Sequence, residues 1–202
     1  MSAPSEESAE GLFPAFLKLA GRKVVVVGGG RVAASKLESL LLAQAAVTVV
    51  APQVRDEIAQ RGVEVLQRNF APQDLEGAWF VIAAGPPELN REVVLEAERR
   101  RIFANAVDEP QNCSAYTAGV FRRGGVTVAV STGGSAPALA GLLREGLEAV
   151  VPNEVGAWVQ EARSLRKVWR AEKIPMFQRR PQLLEALNRL YEAKGHAQSE
   201  TL

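Results

Sequence analysis

The chain has 202 residues, 24 basic and 23 acidic side chains, and a formal net charge of +1. An apolar fraction of 47% suits a folded globular chain and excludes global disorder, and the balanced charge gives no general footing for nucleic acid. The single cysteine, Cys113, excludes a disulfide framework and fits a reducing cytoplasm. With one histidine, His196 near the end, neither a Cys/His nucleophile pair nor a transition-metal ligand set is expected.

Residues 1–11 are acidic and rich in Ser and Ala. They lack the basic and apolar regions of a signal peptide and read as a disordered tail. No apolar run approaches the roughly 20 residues needed to span a bilayer, so no membrane partner is expected. The first strong element is the β-branched run Lys23–Val27. It leads into Gly28-Gly29-Gly30-Arg31-Val32-Ala33 and an amphipathic helix predicted over residues 32–45. Strand, glycines and helix in that order spell G-x-G-x-x-A, the first turn of a dinucleotide-binding βαβ unit. Gly28 allows the tight turn, Gly30 lets the backbone approach a pyrophosphate, and the small Ala33 lets helix and strand pack closely. Free N–H groups at the helix start then face the anion.

Further strands are predicted at residues 47–50, 63–66, 79–83 and 102–107, with a helix over 88–101. This alternation implies a parallel sheet covered by helices on both faces. The acidic residue that commonly holds a ribose at the end of the second strand is absent; that stretch reads Val50-Ala51-Pro52-Gln53. Gln53 offers a bond to ribose hydroxyls and Arg55 an acceptor for a 2′-phosphate, so the residues leave NAD and NADP open. Asn105-Ala106-Val107-Asp108 ends the fifth strand, at the edge where ligands of open α/β sheets bind. Asp108 there suits a proton acceptor or metal-facing carboxylate, and equally a turn cap before Pro110.

Beyond Pro110 the pattern changes. Residues 110–125 show no strong period, and Val126–Val130 is again strand-like. In the loop over residues 131–137, Ser135 reads as a helix N-cap. Gly133-Gly134 frees backbone N–H groups, giving either a second anion site or an ordinary capped helix entry. The following helix sets Leu139, Leu142, Leu143 and Leu147 at helical spacing. After Pro152 a long helix carries Val155, Trp158, Val159, Ala162, Leu165, Val168 and Trp169 on one stripe. A last helix starts near Leu183, after Pro175 and Pro181. Arg163, Arg166, Lys167, Arg170, Lys173, Arg179 and Arg180 form a basic run, read as a solvated face or a polyanion surface. No recognition motif supports nucleic acid as the polyanion. The fold class is α/β: a Rossmann-like parallel sheet, a small α+β segment and a helical C-terminal domain.

The ordered motifs resemble the siroheme synthase N-terminal family, the precorrin-2 dehydrogenases. The resemblance rests on Phe13-Pro14-Ala15-Phe16-Leu17, on Val27-Gly28-Gly29-Gly30-Arg31-Val32-Ala33 with Lys36, and on Asn105-Ala106-Val107-Asp108 with Pro110. It rests also on Val130-Ser131-Thr132-Gly133-Gly134-Ser135-Ala136-Pro137 with Leu139-Ala140 and Leu143-Arg144. The resemblance implies a tail over 1–11, a Rossmann domain over 12–113, a dimerisation segment over 114–151 and a helical domain over 152–202. It implies a cytoplasmic homodimer that oxidises precorrin-2 to sirohydrochlorin with NAD, followed in some members by insertion of Fe²⁺. Asp108 matches the aspartate implicated in that chemistry. Cofactor residues are then expected at Gly28, Gly29, Gly30, Arg31, Val32, Ala51, Pro52, Gln53 and Ala84. Substrate contacts are expected at Ser131, Thr132, Gly133, Ser135 and Arg144. The sequence departs from the family at Gly85-Pro86, where Thr-Asp is frequent, and at Ser114-Ala115-Tyr116-Thr117-Ala118, in place of S-F-x-x-P. A rival expectation is an NAD-binding regulatory module that performs no chemistry.

Overall fold

A computed structural model describes residues 11–199, with side chains to residue 190. The reading of residues 1–11 as a disordered tail lies, apart from Gly11, outside the described residues. The chain forms two compact units, and neither is a single run of sequence.

The first unit is built on five parallel strands: β1 (Lys23–Val27), β2 (Ala46–Val50), β3 (Glu64–Leu66), β4 (Phe80–Ala83) and β5 (Phe103–Ala106). Their order is β3-β2-β1-β4-β5. The β-branched runs are buried on both faces, with successive side chains going to opposite sides. Val24 and Val26 of β1, Val47 and Val49 of β2, and Phe80 and Ile82 of β4 pack with Ala33, Leu37 and Leu40 of helix α1 (Arg31–Leu42). Val25, Val27, Val50, Val81 and Ala83 point the other way, onto Val93, Val94 and Ala97 of helix α3 (Pro87–Arg99). Each fully buried valine contributes about 1.5–3 kcal/mol of burial. Thr48 is the polar interruption in β2, and its hydroxyl is satisfied by Glu64 Oε2 at 2.7 Å.

Two helices end earlier than the sequence suggests. Helix α1 stops at Leu42 and α3 at Arg99, because Gln44 (φ 57°) and Arg101 (φ 58°) adopt the left-handed conformation that closes a helix. Glycine usually marks that position, and here it is absent. The short helix α2 (Asp56–Ala59) was not anticipated. Four residues carry too little periodicity to register.

The second unit holds the antiparallel hairpin β6 (Gly119–Arg123) and β7 (Val126–Val130) with helices α4 (Pro137–Val150), α5 (Val155–Ala171) and α6 (Met176–Ser199). Strand β6 falls in the stretch read as lacking a period. The signal was present in Gly124-Gly125, whose φ values of 56° and 85° make the two-residue turn joining β6 to β7. Arg123 donates from its guanidinium to the carbonyls of Glu148 and Val151 and so satisfies the C-terminal end of α4. Pro181, expected to precede the last helix, lies inside α6. The Trp169 indole donates to Gln182 Oε1 at 2.5 Å and ties α5 to this part of α6.

The units regroup the three-part division implied by the resemblance. Residues 131–137 join the sheet unit, where Gly134 packs against Pro110 and Tyr116. The hairpin joins the helices, where Gly124 lies against Gly156 of α5.

Candidate functional site

Strand order reverses at β1: β2 and β3 lie to one side and β4 and β5 to the other. Such a switch point opens a crevice at the carboxyl ends of the strands. Register sets the edge, because Val27 stands opposite both Val50 and Ala83. The chain therefore leaves three strands at one level, at Gly28, Ala51 and Ala84. A cleft of about 680 Å³ lies there, lined by Gly28, Gly29, Gly30, Ala51, Gln53 and Ala84 among others.

The three glycines differ in what surrounds them. Gly28 has φ 133°, and a Cβ on it would lie 2.5 Å from the Ala84 carbonyl oxygen. Gly29 faces the loop after β2, where a Cβ would lie 1.9 Å from Gln53 O. The Arg55 N–H donates to Gly29 O at 3.0 Å and locks the two loops together. Gly30 is different. Its backbone (φ −85°, ψ −171°) is extended and open to any residue, and a Cβ on it meets nothing within 4 Å. The protein fold does not require glycine at 30, whereas a ligand brought against this backbone would. Gly30 also caps α1 without a side-chain acceptor, so the first N–H groups of the helix, from Arg31 onward, stay open to an anion. Those features fit the pyrophosphate of a dinucleotide. Arg31 and Val32 open α1 beside the cleft and are exposed.

The turn after β5 meets the same sheet edge. Asp108 is exposed, sits at φ 61°, and has no hydrogen bond or ion pair among the described residues. Glu109 beside it is held. Asn90 Nδ2 donates to its Oε1 at 3.1 Å and Asn112 Nδ2 to its Oε2 at 2.6 Å. Cys113 lies under the turn, accepting from the Ala106 N–H and donating to Ala106 O, both at 3.2 Å. Burial pushes its thiol above the usual range, so it stays protonated at neutral pH.

Three comparisons bear on this arrangement. Residues 15–119, half the chain, match the family described as "Putative NAD(P)-binding", and residues 123–149 match "Sirohaem biosynthesis protein central". "Siroheme synthase 3" of Aeromonas hydrophila is 44% identical over 172 residues, covering 83% of this chain and 37% of that protein. "Siroheme synthase" of Photorhabdus laumondii is 41% identical over 180 residues, covering 87% of this chain and 38% of that protein. The chain belongs to the siroheme synthase N-terminal family. It spans less than two fifths of these relatives' length. Among solved structures, "SirC, precorrin-2 dehydrogenase" superposes with a TM-score of 0.64 at 25% identity, covering 86% of this chain and 88% of that one. The Rossmann-like sheet is thus an NAD(P)-binding domain, and its cofactor is a nicotinamide dinucleotide.

Against this family's pattern the remaining residues fall unevenly. Gly85-Pro86, in place of the frequent Thr-Asp, lines the cleft, and a Cβ on Gly85 would lie 2.8 Å from Leu89 Cδ2. Asn69, Phe70, Leu89 and Glu92 also line it and were not singled out from sequence. The position of residues 69–70 just beyond β3, at the carboxyl edge, was the available signal. In the loop over 131–137, Thr132 rather than Ser135 accepts the Ala136 N–H, at 3.2 Å. The Ser135 hydroxyl turns back onto Thr132 O at 2.5 Å, so it does not cap the helix as expected. Ser131 Oγ accepts the Gly133 N–H at 3.2 Å. Gly134 packs this loop onto Pro110, two residues past Asp108. Arg144 belongs to the second unit, where it pairs with Glu148 at 2.6 Å and Glu145 at 2.9 Å. Arg163, Arg166, Lys167 and Arg170 lie exposed on α5.

Proposed function

We propose that this chain oxidises precorrin-2 to sirohydrochlorin with NAD, in the cytoplasm and as a homodimer. The observation that carries the reading is the likeness to a precorrin-2 dehydrogenase over nearly the whole of both chains. The sheet edge agrees with it. Gly28, Gly30 and the start of α1 bind the dinucleotide, with Ala51, Pro52, Gln53 and Ala84 along the cleft walls. When bound, the nicotinamide ring supplies the hydride acceptor. The macrocycle gives up one hydride and one proton, so the products are sirohydrochlorin, NADH and H⁺. Asp108, exposed and unpaired at the same edge, takes the proton. NAD is favoured over NADP because Arg55, the first cation along the chain after β2, is paired with Glu57 at 2.9 Å.

Ser131 and Thr132 offer hydroxyl protons to the carboxylates of the tetrapyrrole, Gly133 and Ser135 shape the loop that presents them, and Arg144, held by Glu148 and Glu145, is left out of the substrate set. Asp108 is also the group to accept pyrrole protons if ferrous iron is the next substrate. The homodimer is supported by α4, whose Leu139, Leu142, Leu143 and Leu147 are each at least 42% exposed and whose Ala140 alone is buried. No helix among the described residues is long and apolar enough to cross a membrane.

The test is anaerobic incubation of the protein with precorrin-2 and NAD, following NADH formation and the macrocycle's absorbance, then addition of Fe²⁺ to the same preparation. Oxidation is expected. Absence of any spectral change while NAD binds would replace the enzyme by a nucleotide-sensing module.

A further inference from the structure

Asn90 is the one buried polar side chain on α3. It is 2% exposed, and both ends of its amide are used across the fold. Its Oδ1 accepts the N–H of Gly85 at 2.9 Å, in the loop that leaves β4 and lines the cofactor cleft. Its Nδ2 donates to Glu109 Oε1 at 3.1 Å, in the turn that leaves β5. Asn112 then closes on the other oxygen of Glu109. One side chain therefore joins the lip of the cleft to the turn that carries Asp108. Backbone pairing cannot do this: β4 and β5 are bonded through Ala83 and Ala106, and one further bond, from the Val107 N–H to Ala83 O, ends the ladder. Past those residues the two loops are joined through the Asn90 amide. The turn has bonds of its own, with the Glu109 N–H on Ala106 O at 3.4 Å and the Asn112 N–H on Glu109 O at 2.9 Å, and the Asn90 amide adds the link that reaches across to the other loop.

We infer that Asn90 and Glu109 are positioning residues that fix the dinucleotide lip and the Asp108 turn in one geometry, so that loosening their bond weakens cofactor binding and proton transfer together. The inference rests on the reading of the cleft as the dinucleotide site and of Asp108 as the proton acceptor. The donor and acceptor chemistry makes the bond reversible by design. In Asn90→Asp the Gly85 N–H keeps its acceptor, but two carboxylates face one another at the Glu109 bond. In Asn90→Asp with Glu109→Gln, the glutamine Nε2 donates to the new aspartate while its Oε1 still accepts from Asn112, and every partner is satisfied again.

The experiment measures NAD affinity by calorimetry and amide exchange of residues 84–90 and 106–112 without ligand, on the full chain and both variants. Asn90→Asp is expected to bind NAD at least tenfold more weakly and to exchange faster in both segments. The double variant is expected to return to within about threefold of the parent in affinity and to regain its protection. Wild-type behaviour of Asn90→Asp overturns the inference. So does a double variant as impaired as the single, which would mean a packing role for Asn90 alone. Should Asn90→Asp fail to fold, Glu109→Ala removes the same acceptor from a half-exposed position; unchanged affinity and exchange there overturn the coupling. Amide exchange needs no ligand, so it reads the tether even if the parent fails to oxidise precorrin-2. That failure would sink the proposed reaction and leave the tether standing.

Discussion

Replacing each of the three glycines by alanine in turn separates a requirement of the fold from one of the ligand. Gly29→Ala puts a methyl 1.9 Å from Gln53 O and 2.8 Å from Val54 Cα, so backbone must move. Overpacking of this kind costs about 1–3 kcal/mol, or roughly 2–12 °C in melting temperature for a chain of this size. Gly28→Ala falls in the same class, with φ 133° and the Ala84 carbonyl 2.5 Å from the new Cβ. Gly30→Ala meets nothing within 4 Å and has an ordinary extended backbone. It should leave the apo protein unchanged or raise its stability by about 0.4–1 kcal/mol, through lost freedom in the unfolded chain. Its methyl projects into the space assigned to the pyrophosphate, so NAD affinity should fall at least about tenfold, or 1.4 kcal/mol. At NAD a hundredfold above the parent's Kd, the parent gains about 2.7 kcal/mol from the ligand and a tenfold weaker variant about half of that. Thermal denaturation with and without NAD therefore reads both effects on one preparation. A Gly30→Ala protein that keeps the full NAD-induced shift, or that melts well below the parent without ligand, refutes the assignment of the three glycines.

Asp108→Asn should keep the melting temperature and NAD affinity, since Asn tolerates φ 61°, while precorrin-2 oxidation falls at least a hundredfold; Asp108→Ala adds a backbone cost of about 1 kcal/mol that would confuse the comparison. Asp74, buried, accepts from Arg68 and from the Ala71 N–H, and the Arg68 guanidinium holds its carboxyl below the usual range. Its contribution is therefore complete above the ordinary aspartate range and lost as pH falls below it, so the stability gap between parent and Asp74→Asn should close in acid denaturation scans and stay open at neutral pH. Cys113 should react with a thiol reagent at least tenfold more slowly in the native protein than in denaturant, because burial raises its pKa and the thiol is hydrogen-bonded. If the proposed homodimer forms through α4, Leu142→Arg, at a position 65% exposed, should leave secondary structure intact and shift sedimentation from dimer to monomer; a parent that sediments as a monomer refutes that interface.

The sheet was legible because its signals are physical and local. The Lys23–Val27 run and the alternation after it can bury two faces only in a parallel sheet covered by helices, and all five strands lie within two residues of their expected bounds. Helix ends were not legible where Gln44 and Arg101 take the left-handed turn in place of glycine. The hairpin was missed although Gly124-Gly125 announced it, because flanking arginines masked its alternation. At the candidate site, Asp108 and the glycine turn could be read from position alone. Asn90 could not, since within α3 a single asparagine looks like any polar residue on a helix until the fold shows that it faces inward.

The left-handed backbone at Asp108 also bears on how such a chain can change over time. The conformation favours Asn and Gly at least as well as Asp, and among the described residues no other side chain holds this carboxyl in place. One substitution can thus remove the acid while the sheet, the cleft and the glycine turn survive untouched. On the proton-acceptor role proposed for Asp108, chemistry at this edge would be separable from stability, and a descendant that lost it would persist as a folded nucleotide binder. On that role, the residue at this turn would discriminate catalyst from sensor among related chains better than the glycine turn, which both would keep.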